Sequence, residues 1–275
     1  MMELQVNGHT TYCYTGGKAF VAHQPTVVMI HGVLNDHSVW ILQSRYLANH
    51  GWNVLAIDLP GHCRSGGDAP STVEEAAGFV VALLDAAGVE RAALVGHSFG
   101  ALIALEASSI LKNRVTHLAL VGVAFPMKVS GSLLKAALDD PNEGIRLINL
   151  FSRSTLSAPP SALGPGTWVL GSSVALNQRV LKSNAKVNVF HRGFQACNTY
   201  ANGEMAIAAI TCPVLFLIGA QDQMTPPAAA QTLVDIARAA GKATHVVHLP
   251  VGHHQMTEAP EATLAALRDF LNQSQ

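Results

Sequence analysis

Short apolar runs separated by amphipathic stretches recur along the chain and predict strands alternating with helices. Thr26–Ile30 (TVVMI) and Asn53–Ile57 (NVLAI) are almost wholly apolar, the pattern of strands covered on both faces. Ala92–Gly96, Val115–Val123, Val214–Ile218 and Thr244–Leu249 extend that set. Between them, Ser38–His50, Phe99–Leu111 and Ala228–Ala239 read as helices. A further helix opens on Ser71 and Glu74 as a capping box and is closed by Gly88. The last helix starts near Pro260, with Leu264, Leu267 and Leu271 on one stripe. At the start, Glu3–Val6 and Thr10–Tyr14 flank Asn7-Gly8, a tight-turn pair, and predict an antiparallel hairpin at the sheet edge. The alternation implies right-handed crossovers and an α/β fold: a doubly wound, mostly parallel sheet with helices on both faces.

Between residues 125 and 210 the alternation stops. Leu133–Leu138, Ile145–Phe151, Val174–Leu181 and Phe190–Tyr200 read as helices, interrupted by a Ser/Pro/Gly segment with Pro159-Pro160 and Gly164-Pro165-Gly166. The expectation is an inserted helical cap over 125–210 on a core formed by 1–124 and 211–275. The alternative, helices belonging to the main layer, stays open at this point.

Composition narrows the function classes. A chain of 275 residues holds one large domain, or one with an insertion, and can bury a sizeable core. Charged residues are 13% against a usual ~25%, and hydrophobic ones 49%, so apolar area is expected in a deep pocket or a subunit contact. The formal net charge of -1 gives no long-range field for nucleic acid. No apolar run reaches the ~18 residues that span a bilayer, and Met1–Gly8 lacks a signal-peptide layout. A cytoplasmic location is therefore expected. Cys13, Cys63, Cys197 and Cys212 are scattered without CxxC spacing, so they read as reduced packing residues.

The candidate chemistry centres on Leu94–Ala101, LVGHSFGA. It puts Ser98 between Gly96 and Gly100 at a strand-to-helix junction, where larger side chains would collide with the neighbouring strand and helix. By itself this is either a nucleophile elbow or an ordinary turn. A serine nucleophile needs a base, and the base needs an acid to fix its tautomer. Asp222 follows the strand Val214–Ile218 in GAQDQMTPP, which puts it at the carboxyl end of the sheet, as a turn aspartate or as that acid. His253 and His254 lie in the loop after Thr244–Leu249, on the same edge, and complete the order Ser, Asp, His.

Taken together, the chain resembles the α/β-hydrolase family over nearly its whole length. The resemblance rests on His31-Gly32, Asp58-Leu59-Pro60-Gly61-His62, Gly96-His97-Ser98-Phe99-Gly100, Asp222, and Gly252-His253 followed by Glu258 and Pro260. It implies Ser98, Asp222 and His253 as the catalytic residues, His253 being preferred to His254 because it directly follows the glycine. It also implies an oxyanion hole from the backbone N–H groups of Val33 and Phe99, with no cofactor and no metal. His31, Asp58 and Arg64 are expected to fix loops. One departure is Cys63, where the family loop DLPGHGRS has glycine. Serine at the elbow argues against the epoxide and halide chemistry of members that carry aspartate there. The expected reaction is hydrolysis of a small to medium, fairly apolar carboxylic ester through an acyl-enzyme. Lactone, thioester or diketone C–C cleavage by the same residues remains open, as does a receptor-like role with slow turnover. The substrate itself and the oligomeric state are not legible in the sequence.

Overall fold

The computed structural model describes residues 1–154 and 167–273; the Pro159-Pro160 and Gly164-Pro165-Gly166 segment lies outside them. Among the described residues eight strands form one sheet: β1 (Met2–Val6), β2 (His9–Tyr14), β3 (Thr26–Ile30), β4 (Asn53–Ile57), β5 (Ala92–His97), β6 (Val115–Val121), β7 (Val214–Gly219) and β8 (Thr244–Leu249). Their order is β1-β2-β4-β3-β5-β6-β7-β8. β1 and β2 are the antiparallel edge, and β4, β3, β5, β6, β7 and β8 run parallel. Every residue of β3, β4, β5 and β7 is buried, as continuous apolar runs require.

Helices cover both faces. They are α1 (Ile41–Asn49), α2 (Val73–Ala86), α3 (Phe99–Leu111), α4 (Gly131–Asp139), α5 (Pro141–Ser152), α6 (Val169–Ser183), α7 (Val189–Thr199), α8 (Gly203–Ala209), α9 (Gln231–Ala239), α10 (Gln255–Glu258) and α11 (Pro260–Leu271). Alternate residues of β3 enter opposite cores. Val28 and Ile30 pack with α2 and α3, while Val27 and Met29 pack with Leu47 of α1 and Leu267 and Phe270 of α11. A third apolar cluster joins Ala137, Ile145, Ile148, Val180, Val189, Phe190 and Phe194 of α4 to α7 with Leu34 and Ala69 from the loops beneath. The larger fully buried side chains among them, Leu34, Ile145, Val180, Val189 and Phe190, contribute roughly 1.5–3 kcal/mol each.

Three local details differ from the expectation. The predicted helix Ser38–His50 is a 3-10 turn, His37–Trp40, leading into α1. The cap of α2 is Thr72, whose hydroxyl accepts from Glu75 N at 3.0 Å, and Glu75 reaches back to Ser71 N at 2.8 Å. The capping box thus sits one residue later than Ser71 and Glu74. Finally, α8 is an unpredicted helix that packs on α3 and α9, so it lies with the core helices although it precedes the expected boundary at 210.

Candidate active site

Ser98 sits at the junction of β5 and α3 with φ 55° and ψ -116°, a strained backbone for a residue with a side chain. The glycines around it explain how the turn closes. A Cβ on Gly96 would lie 2.0 Å from Gly100 O, and one on Gly100 would lie 2.4 Å from Ile30 O. The two glycines therefore let strand β5, helix α3 and the end of β3 meet at van der Waals distance.

Asp222 lies past the end of β7 and is 4% exposed. Its Oδ1 accepts from Met224 N and Thr225 N, both at 2.8 Å, and its Oδ2 accepts from Thr225 Oγ1 at 2.7 Å. The same Oδ2 pairs with His253 Nδ1 at 2.8 Å. Asp222 is thus a turn aspartate and a histidine partner at once. Burial by itself would raise its carboxyl, but His253 and the Thr225 donors outweigh this and hold it below the ordinary carboxylate range.

His253 is 5% exposed and its backbone is tied to α5, with its N–H donating to Ser152 O at 2.7 Å. Glu258 braces the same loop by accepting from Ser154 N at 2.9 Å, His254 N at 3.3 Å and Gly252 N at 3.4 Å. His254 points elsewhere: its ring lies against His97 at 5.6 Å, and burial, with Arg153 next, pushes it well below the usual histidine range. Of the two histidines, the structure brings His253 to Asp222.

Ser98 and His253 line one pocket of about 290 Å³ with Met127, Val129, Leu133, Phe194 and Met224. Val33 lies beside Ser98 in a smaller adjoining chamber, and Phe99 opens α3, where first-turn N–H groups have no intrahelical acceptor.

His31, Asp58 and Arg64 lie among the loops. His31 Nε2 accepts from Leu59 N at 3.1 Å, and Asp58 accepts from His37 N, His37 Nδ1 and Arg64 N at 3.0, 2.7 and 3.2 Å. The Arg64 guanidinium lies 4.7 Å from the centre of the Tyr12 ring. Asp36, His37 and Asp58 bring possible ligand atoms within 4.8 Å of one another. The carboxylates there are already engaged by protein donors, Asp36 by Ser38 N at 2.9 Å and Arg179 at 2.5 Å, and a resident guanidinium disfavours a second cation.

Two residues near the site escaped sequence reasoning. Thr225 had a readable signal, a hydroxyl three residues after a turn aspartate. His97 had none, being one of 13 histidines. Its Nε2 meets His253 O at 2.8 Å.

Residues 25–260 match the family described as the alpha/beta hydrolase fold. The chain belongs to that family. As a family member it is similar to the protein named Putative carbamate hydrolase RutD of Klebsiella pneumoniae subsp. pneumoniae, with 26% identity over 90% of this chain and 91% of that one. It is also similar to the dihydrolipoyllysine-residue acetyltransferase component of the acetoin cleaving system of Cupriavidus necator, 38% identical over 40% of this chain; the match spans only 28% of that protein. Among solved structures, the enol-lactonase from Burkholderia xenovorans LB400 superposes with a TM-score of 0.81 at 20% identity, over 99% of this chain and 100% of the other. The fold is therefore shared with a characterised α/β-hydrolase architecture along its full length. No described helix is long and apolar enough to cross a membrane.

Proposed function

We propose that the chain is a serine hydrolase that cleaves carboxylic esters of small to medium, fairly apolar character. The observation that carries this reading is the 2.8 Å bond between Asp222 Oδ2 and His253 Nδ1, with His253 and the strained Ser98 lining one pocket. Asp222 fixes the tautomer with the proton on Nδ1, which leaves Nε2 as the base. Ser98 Oγ attacks the ester carbonyl, His253 takes its proton and returns it to the leaving alcohol, and water then releases the acid. The N–H groups of Val33 and Phe99 receive the oxyanion, a contribution of roughly 3–4 kcal/mol per donor in comparable sites.

In the same reading α4 to α7 form a cap over the core. Its support is their separate apolar cluster and the lining they give the pocket, where Leu133, Phe151 and Phe194 favour an apolar acyl or alcohol group. The cytoplasmic part of the reading is supported by four free cysteines.

The test is a panel of p-nitrophenyl esters of increasing acyl length, run beside a lactone and a thioester. Turnover that vanishes in Ser98→Ala supports the reading. Near-normal rates in that variant, or no turnover of any member by folded protein, overturn it. Slow single-turnover labelling with ligand-dependent thermal stabilisation would instead favour a receptor-like role.

A further inference from the structure

Beside Ser98, adjoining the main pocket, lies a chamber of about 30 Å³ whose lining includes Val33, Asn35, His97, Ser98, Asn177 and His253. That is room for about two waters, at the ~10–15 Å³ each requires. Two of its polar atoms are buried and lack any hydrogen-bond partner among the described residues: Asn35 Oδ1 and His97 Nδ1. Asn35 is 3% exposed and His97 1%.

The chemistry of both orphans is the same. His97 Nε2 faces the carbonyl oxygen of His253, which can only accept, so Nε2 carries the ring proton. Burial, with His253 next, drives His97 down to about 3, so at neutral pH the ring is uncharged. Nδ1 is then a bare acceptor, and Asn35 Oδ1 is an acceptor too. Two buried acceptors beside a small cavity call for one compact group that donates twice. Gly32 leaves His97 Nδ1 uncrowded, since a Cβ there would lie 2.9 Å from that nitrogen and 3.2 Å from Ser98 Cβ.

We propose that Asn35 and His97 form a water-binding station that positions the water for deacylation. This rests on the assignment of Ser98 and His253 made above. The water's oxygen bonds the acyl carbon while His253 accepts one of its protons. The bond from that carbon to Ser98 Oγ then breaks, Oγ takes the proton, and the carboxylic acid departs. Asn35 and His97 are positioning residues: in the resting site the water donates one O–H to each, and in the acyl-enzyme the O–H on His97 turns to the neighbouring His253, whose ring lies 4.7 Å away, while Asn35 keeps the other and a lone pair faces the acyl carbon.

Two measurements test it. In a crystal structure of the full chain, an ordered water within hydrogen-bond distance of both atoms supports the station, and a chamber without one overturns it. In stopped-flow reaction with p-nitrophenyl acetate, Asn35→Leu should accumulate acetylated Ser98. Its burst rate should stay within about twofold of the unmodified protein, while steady-state turnover falls about tenfold, the worth of roughly one hydrogen bond. Asn35→Asp, which keeps an acceptor at the same place, should restore turnover. A loss shared equally by burst and steady state, or no change in either, overturns the deacylation role. If Ser98 of the unmodified protein is never acetylated, the esterase reading fails and the deacylation role with it, and the crystallographic water alone then decides the binding site.

Discussion

Thr225 clasps Asp222 on both carboxylate oxygens, its N–H at 2.8 Å from Oδ1 and its hydroxyl at 2.7 Å from Oδ2. The hydroxyl also lies 3.1 Å from His253 Nδ1. A carboxylate held this way cannot rotate without breaking two charge-assisted hydrogen bonds, so Thr225, which also borders the pocket, helps set the orientation of His253.

Replacing that hydroxyl by a methyl tests the arrangement. Thr225→Val keeps the volume and the backbone donor but removes one bond to a charged acceptor, worth roughly 1.5–3 kcal/mol. Ester turnover should fall about tenfold to a hundredfold, because the loss acts on the Asp222–His253 pair that serves as the base in the proposed mechanism. Rates measured across the ester panel check this. Unchanged turnover would show that Asp222 needs no second anchor.

The elbow glycines give a stability prediction. In Gly96→Ala the new Cβ meets Gly100 O at 2.0 Å, with Gly100 C at 2.4 Å and Ala101 N at 2.7 Å, and helix backbone cannot yield as a flexible side chain would. The variant should lose more than about 3 kcal/mol, at the severe end of single substitutions. Gly78→Ala is the control: it lies within α2, nothing stands within 4 Å of its Cβ, and it should gain up to about 1 kcal/mol from helix propensity. Urea denaturation of both separates strain at the elbow from any general intolerance of alanine.

Much of this was readable in the chain because the signals are short-range and redundant. The β-branched runs of β3, β4 and β7 leave no polar face, so they are central strands wherever they occur. Gly96 and Gly100 were legible for a steric reason that the contact distances bear out. The misses are of another kind. Ser71/Glu74 and Thr72/Glu75 both satisfy the capping-box spacing, and only the packing of α2 selects between them. The helix α8 is seven residues long, too short for periodicity to tell it from a strand or loop. Asn35 and His97 acquire meaning only through a cavity formed by segments far apart in sequence, which no local pattern encodes.

Asp36 supplies a pH prediction. Burial opposes its charge, but Ser38 and Arg179 more than compensate and bring it from 3.8 down to about 2. Its folded value is lower than its unfolded one, so the ionised form stabilises the fold above about pH 4, and that share is lost as pH falls through about 2. The difference corresponds to on the order of 2 kcal/mol. Because Arg179 stands on α6 while Asp36 precedes the 3-10 turn, the loss also loosens α6 from the core. Asp36→Asn should be less stable than the unmodified protein at pH 7 and should lose less on going from pH 5 to 2. Guanidinium melts at both ends of that range check it; parallel pH curves for the two proteins would rule it out.

Cys63 occupies the place of a family glycine and pays a local strain for it, with φ at +46°. Such a backbone costs a side-chain-bearing residue of order 1–3 kcal/mol. Against this, its thiol hydrogen-bonds Asp36 Oδ2 at 3.5 Å, and its N–H donates to Ser183 Oγ at 2.9 Å, a bond that any residue here would keep. Burial, followed by the charges of Asp36 and Asp58, pushes the thiol up to about 12, so the group that bonds Asp36 is the neutral, donating form. Cys63→Gly would relieve the backbone but lose the thiol contact and add chain entropy to the unfolded state, about 0.4–1 kcal/mol. These terms nearly cancel, and the variant should lie within about 1 kcal/mol of the unmodified protein. Cys63→Val keeps the strain, adds a β-branch where left-handed backbone is least tolerated, and loses the donor, so it should fall by about 2 kcal/mol or more. Equal losses in the two variants, measured by urea denaturation, would show that the thiol contact and not the backbone decides this position.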